Sequence, residues 1–406
     1  MNRLSVSRQI GEPQPPSMFA IPIGQSKDTL HSVFSVGSLA VTHPEGRPSR
    51  RRVRLTAAGG QVSTSFGVKC PWCPNNGRRR APAAADGHAI RPSVRVVTLL
   101  PAATEIVAAL GMLEHLVAVS HECDFPPEAQ TRPRATRCPI HDSGLPSAEV
   151  DRWVSDSLRR SGTLYTLDEP LLRRLEPDVI ITQRLCDVCA VGYDSVTAFA
   201  ATLPGPPRVV DLDPSSLADV MRDVENVAEA LGVPARGTAV VAGLRARVEA
   251  VRVRLADAPR RRCVVLEWID PLFRSGHWTP ELVEIAGGVE PLGRKGEDAA
   301  RVGWEAVVAA SPESLVLACC GYGVERTLAD LPILQRQPGW DELIAVRTGE
   351  VYVVDGSAYF SRPGPRLVDS LELLAQILHA ERGGSPLPAR GVVRVAAAGG
   401  APPSRR

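Results

Sequence analysis

Aromatic residues make up only 4% of this 406-residue chain, and three lysines stand beside 44 arginines. No apolar run approaches the ~18 residues a membrane span needs. The formal net charge of +2 indicates neither a nucleic-acid footprint nor attraction to an anionic membrane surface. Scarce lysine, with abundant Ala, Pro, Gly and Val, reads as the bias of a GC-rich genome, so single arginines carry little functional weight. The opening MNRLSVSRQIGEPQPP lacks the charged-then-apolar pattern of a secretory signal, and the expected location is the cytoplasm. Thiols stay reduced there, and nine cysteines, an odd number, do not suit a disulfide framework.

The chain divides by composition. Residues 1–93 are rich in Pro, Gly, Ser and Arg and cannot bury enough apolar surface to offset ordering, so they are expected to be disordered. A translation start near Val94 is the alternative explanation of this extension. Its Cys70-Pro-Trp-Cys73 pair has no second half-site at suitable spacing. The tail 381–406 is expected to be equally unstructured. Between these ends, apolar strands alternate with helical periodicity: VRVVTLL, LVAVS, DVIIT and PRVVDL in residues 94–213, then RCVVLEW, SLVLACC and EVYVVD in residues 259–380. Such alternation implies parallel βαβ units. Residues 214–258 read as two helices. The first has Asp213 as N-cap and Pro214 at its first position. The second, from Pro234, carries one stripe of Val241, Leu244, Val248, Val251 and Leu255. The predicted fold is therefore α/β, with two Rossmann-like lobes joined by a long backbone helix.

Ligands of open α/β sheets bind beyond the carboxyl ends of the strands, and the scarce aromatics of this chain fall there. The post-strand loops read SHECDFPP, QRLCDVCAVGY, WIDPLFRSGHW, CCGYG and DGSAYFSRPGPR. They place Phe125, Trp268, Phe273, Trp278, Tyr322, Tyr359 and Phe360, with His121, Gly276 and His277, where a cleft between lobes would lie. Glu122, Cys123, Gln183, Cys186, Cys189 and Arg362 complete the candidate ligand-binding set. Asp124 reads more simply as a turn residue, and Arg366 equally as a rim donor or as a salt-bridge partner on a helix face.

These loops, with GHWTPELVEIAGG and YFSRPGPRLVD, resemble the cobalamin-binding substrate-binding proteins that have a rigid linking helix. The resemblance spans roughly residues 94–380. It implies a non-catalytic protein that holds a corrinoid in the cleft as a ligand rather than a catalytic cofactor and moves little on binding. It also implies a transporter permease as partner, docked through a carboxylate on each lobe. Glu305 matches the C-lobe position and Glu169, next to Asp168, the N-lobe position. No nucleic-acid partner is expected, and the chain is expected to be a monomer.

Other readings compete. Cys186-x-x-Cys189 is a normal zinc half-site, and with His121, Cys123 or Cys138-x-x-His141 it would make a metalloprotein. A receptor for haem or a ferric chelate on the same fold is a further alternative. Enzymatic readings fare worse. His121 and Cys123 lie on an extended loop whose neighbours point apart, and a thioredoxin-type cysteine must start a helix, whereas the next helix begins near Tyr193. His121 and His277 are the candidate axial ligands for a bound metal centre.

Overall fold

The computed structural model describes residues 94–140, 143–184 and 191–396. Of the unit Met1–Ala84, a short antiparallel pair is described, Thr56–Ala57 with Gly60–Gln61. The expectation of disorder over 1–93 otherwise lies outside the described residues, as do His141, Cys186 and Cys189. The unit Ala85–Arg406 contains both α/β lobes and the helices between them.

Its first lobe contains β1 (Val96–Thr98), α1 (Pro101–Ala109), β2 (Leu116–Val119), β3 (Thr136–Arg137), α2 (Ser147–Ser161), β4 (Thr166–Leu167), α3 (Glu169–Leu175), β5 (Val179–Gln183), α4 (Tyr193–Ala200) and β6 (Arg208–Leu212). Strands β2-β1-β5-β6 form a sheet parallel throughout. β1 and β5 are buried along their whole length, as a parallel sheet covered on both faces requires. β3 and β4 make a separate antiparallel pair, and α2 is the excursion between them.

Two helices lead out of this lobe, α5 (Leu217–Ala230) and α6 (Pro234–Arg254). The predicted start of α5 is corrected: Ser216, not Asp213, is the N-cap, and its hydroxyl accepts the Asp219 N–H at 3.2 Å. A serine three residues later than the first candidate satisfies one of the amides that a helix start leaves open. The expected stripe of α6 is buried at Val241, Leu244, Val248 and Val251. At ~1.5 Å per residue α6 is a rod of about 30 Å.

Two arginines of α6 tie that rod to opposite lobes. Arg236 donates to the Leu110 carbonyl at 3.0 Å, at the C-terminal end of α1, where a cation also meets the negative end of the helix dipole. Arg247 pairs with Asp369 at 2.5 Å and Glu372 at 2.8 Å, both in the second lobe. Composition gives single arginines little functional weight, and these two show the limit of that inference: each is a structural clamp.

The second lobe contains β7 (Arg261–Trp268), β8 (Phe273–Arg274), α7 (Thr279–Ile285), β9 (Gly288–Val289), β10 (Ala300–Arg301), α8 (Trp304–Ala310), β11 (Ser314–Leu317), α9 (Val324–Gln335), α10 (Ile344–Arg347), β12 (Val351–Val354), α11 (Leu367–His379) and β13 (Val392–Val395). Strands β7, β11 and β12 are mutually parallel at the centre, with β8 antiparallel to β7 and β13 antiparallel to β12. β13 corrects the expectation of an unstructured tail. Its four residues pair with β12, an interaction that the Pro- and Gly-rich composition around it conceals. Among the described residues, no helix is long and apolar enough to cross a membrane.

Candidate ligand-binding cleft

The carboxyl ends of the two parallel sheets face one another, because residues after the strands of one lobe bond to residues after the strands of the other. Arg362, after β12, pairs with Asp124, after β2, and lies 3.4 Å from Glu105 of α1. Arg366 grips Glu105 with two donors, at 2.6 and 2.9 Å, while its guanidinium lies 4.1 Å from the centre of the Phe125 ring. The Glu105 side chain is 2% exposed. A carboxylate so withdrawn from water persists because two arginines compensate it. This network joins the two lobes.

A second set of contacts crosses nearer helix α2. Arg326 of α9 donates to the Leu145 carbonyl at 2.8 Å, and Arg301 of β10 pairs with Asp151 of α2 at 2.7 Å. Two separate groups of polar bridges thus cross between the lobes.

On the first-lobe side, Arg134 shapes the SHECDF loop by donating to the carbonyls of Ser120 and Cys123 at 2.9 and 2.8 Å. His121 is half-buried, its Nδ1 2.7 Å from the Thr136 hydroxyl and its ring 5.6 Å from that of Tyr165. Glu122 lies beside it, with a carboxylate oxygen 3.9 Å from Nε2. Phe125 is half-buried at the cleft. Gln183 ends β5 and is buried. Arg184, the next residue, stacks 4.4 Å over the Tyr193 ring and pairs with Asp211 at 3.4 Å. Cys123 does not face the ligand space as expected. It is fully buried, its sulfur accepts the Thr104 hydroxyl at 3.0 Å, and burial pushes its thiol up to about 11. A small apolar side chain beneath the loop is its role.

On the second-lobe side, Trp268 and Tyr322 are half-buried neighbours with ring centres 4.6 Å apart. Phe273 and Tyr359 are also half-buried. Trp278 and Phe360, expected beside them, turn into the core instead, at 5% and 2% exposure. The Trp278 indole N–H donates to the Phe360 carbonyl at 2.7 Å, which joins the GHW and YFSRPGPR loops from within. Arg362, expected at the ligand rim, has its guanidinium committed to Asp124 and Glu105.

The GHW loop is clamped. A side chain at Gly276 would reach within 2.5 Å of the backbone at Glu297 and Ala299, so no larger residue fits this close approach. His277 has a left-handed backbone (φ 50°), its N–H donates to the Glu297 carbonyl at 2.6 Å, and its Nε2 is 3.1 Å from Asp298 Oδ1. Beneath the loop sit two carboxyl groups withdrawn from water. Glu267 accepts the Gly276 N–H at 3.2 Å, and Glu290 accepts the Ser275 hydroxyl at 3.3 Å. Burial raises each to about 7.

Glu169 and Glu305 occupy the first turns of α3 and α8 and are exposed, one on each lobe. Asp168 is the N-cap of α3 and accepts the Leu171 N–H at 3.0 Å, which leaves Glu169 as the outward carboxylate of that pair. Cys186 and Cys189, the half-site of the zinc alternative, lie outside the described residues. Among those described, no group of three His, Cys, Asp or Glu side chains is placed to hold a metal ion. Glu105, Arg134 and the rim residues Arg301 and Arg326 were missed in the sequence. For Glu105 a signal existed, a lone carboxylate inside the apolar helix PAATEIVAALG.

Two α/β lobes joined by the helices α5 and α6, with the post-strand loops of one lobe bonded to those of the other, form the two-lobed architecture of a periplasmic binding protein. The chain belongs to the periplasmic binding protein family, which matches residues 96–358. A vitamin B12-binding protein of Vibrio cholerae serotype O1 is 22% identical over 297 residues, covering 71% of this chain and 90% of that one. An uncharacterized ABC transporter substrate-binding lipoprotein of Bacillus subtilis is 22% identical over 298 residues, covering 71% and 80%. A solved periplasmic heme binding protein from Pseudomonas aeruginosa shares the fold, with a TM-score of 0.57 at 19% identity over 76% of this chain and 99% of that one.

Proposed function

We propose that this protein binds cobalamin or a related corrinoid between its lobes, without catalysis, as the substrate-binding component of an ABC-type importer. The observation that carries the reading is the set of half-buried aromatic rings at the facing loop edges: Phe125 on one side, Trp268, Phe273, Tyr322 and Tyr359 on the other. A corrin is a broad plate with apolar faces and an amide rim. Aromatic rings give it large contact area at low entropic cost, and the surrounding backbone groups can read its amides. The vitamin B12-binding relative supports the same ligand class, and the Bacillus relative supports the importer. Glu169 and Glu305 are the carboxylates we assign to permease docking.

A second reading, haem or a ferric chelate, is favoured by His277. Its imidazole is half-buried and oriented by Asp298, the carboxylate support that metal-ligating histidines commonly have. One experiment separates the two. The protein is titrated with hydroxocobalamin and, separately, with haemin, by calorimetry and visible spectroscopy. Heat and a spectral shift with hydroxocobalamin at micromolar concentration support the corrinoid. Silence with hydroxocobalamin and a haemin shift abolished in His277→Ala would replace it with haem.

A further inference from the structure

Residues after position 358 lie outside the stretch that matches the family, and among them Gly391–Val395 return to the edge of β12. β12 runs toward the cleft edge, so the antiparallel β13 begins there: Val392 stands opposite Val354, and Val395 opposite Val351. The residue just before β13, Gly391, accepts the Asp355 N–H at 2.8 Å. Asp355 is the first residue after β12 and organises the loop beyond it. Its carboxylate accepts the N–H groups of Ser357 and Ala358 at 2.9 and 3.0 Å, and its carbonyl accepts that of Tyr359 at 2.9 Å. From this turn extend Tyr359, at the cleft, and Arg362, in the network with Glu105.

The contact is close. Gly391 has φ +81°, and a Cβ placed there would lie 3.4 Å from Tyr359 Cε2 and 3.7 Å from the Asp355 Cβ. A Cβ at these distances would only touch the turn, but at this positive φ any side chain other than glycine's would be strained. The far end of the strand is fastened independently. The Arg394 Nε donates to the Gly349 carbonyl at 2.6 Å, and its guanidinium pairs with the Glu350 carboxylate. Without the strand, the start of the turn keeps the Gly356 N–H donated to the Tyr322 carbonyl at 2.9 Å, while its far end stays tied through Phe360 to Trp278 and Ser370 and through Arg362 to the first lobe. The outer edge of β12 would then be open to water.

We propose that Gly391–Val395 is a strap that positions the turn Asp355–Arg362, and through it Tyr359, for the ligand. The ligand half of this statement rests on the corrinoid reading above; the strap itself does not. The test compares the full chain with a version ending at Gly384 and with Gly391→Val, which keeps the full length. Hydrogen exchange reports local opening of the backbone, and hydroxocobalamin titration reports the cleft. In both variants, amides of 355–362 exchange at least about tenfold faster, while those of β1 and α5 keep their rates. Affinity for hydroxocobalamin falls about tenfold, the scale of one or two well-made hydrogen bonds. Unchanged exchange over 355–362 in both variants overturns the strap. Faster exchange with full affinity overturns its role toward the ligand. If the wild-type chain does not bind hydroxocobalamin at all, the corrinoid reading fails, and the exchange rates still decide whether the strap exists.

Discussion

Glu105, buried in helix α1 of one lobe, is held by Arg366 of the other through two hydrogen bonds of 2.6 and 2.9 Å. With Arg362 and Asp124 this pair joins the two lobes directly. Removing one partner of a buried ion pair leaves the other uncompensated, at a cost of roughly 3–5 kcal/mol. Glu105→Ala should lower the stability measured by urea unfolding by an amount of that order. A loss within ~0.5 kcal/mol, as for an ordinary surface substitution, would show that the network does not join the lobes.

The carboxyl groups beneath the GHW loop predict a pH dependence of defined sign. Burial raises Glu267 and Glu290 to about 7 in the folded chain, above the ordinary value near 4.3 that an unfolded chain shows. The folded state therefore holds more protons than the unfolded state between those limits, and their contribution falls as pH rises through that window. The slope is about 1.4 kcal/mol per pH unit for each fully titrating group. Glu267→Gln, which imitates the protonated side chain, should raise the melting temperature at pH 8 and flatten its decline from pH 4.5 to 7. A variant less stable than wild type at pH 8, with the slope unaltered, would contradict the assignment.

Contacts at the opposite end of the cleft should control passage more than stability. The Arg301–Asp151 pair has a mostly exposed arginine, and exposed pairs are worth about 0–1 kcal/mol. The variant Arg301→Ala is expected to unfold within about 1 kcal/mol of wild type and to release bound hydroxocobalamin several-fold faster in stopped-flow mixing. Equal release rates would mean that α2 does not restrict the cleft.

Much of the architecture is legible in the sequence. The central strands of both sheets, the stripe Val241–Leu244–Val248–Val251 and the start of α6 at Pro234 follow from local apolar periodicity, which needs only near neighbours along the chain. The loop positions of Phe125, Trp268, Phe273, Tyr322 and Tyr359 follow equally, because where a strand ends is a local property. What each loop side chain touches is not local. Trp278 and Phe360 share the loops of the cleft aromatics, but one hydrogen bond between residues 82 positions apart turns both inward.

The same limit applies to charge. PAATEIVAALG and RPGPR each hold ionisable residues whose partners lie 257 and 261 positions away, and nothing in either segment names the other. β13 is the opposite failure: GVVRV has strand character, but a four-residue strand at an edge is stable only against a neighbour, and the neighbour is β12. Local pattern is enough for two α/β lobes, the helices between them and the loops at the carboxyl ends of their strands. Only the packed chain shows which of those loop residues turn into the core, which form ion pairs between the lobes, and that Val392–Val395 pair with β12. Periodicity encodes burial along one element, whereas pairing across elements is set by packing at a distance.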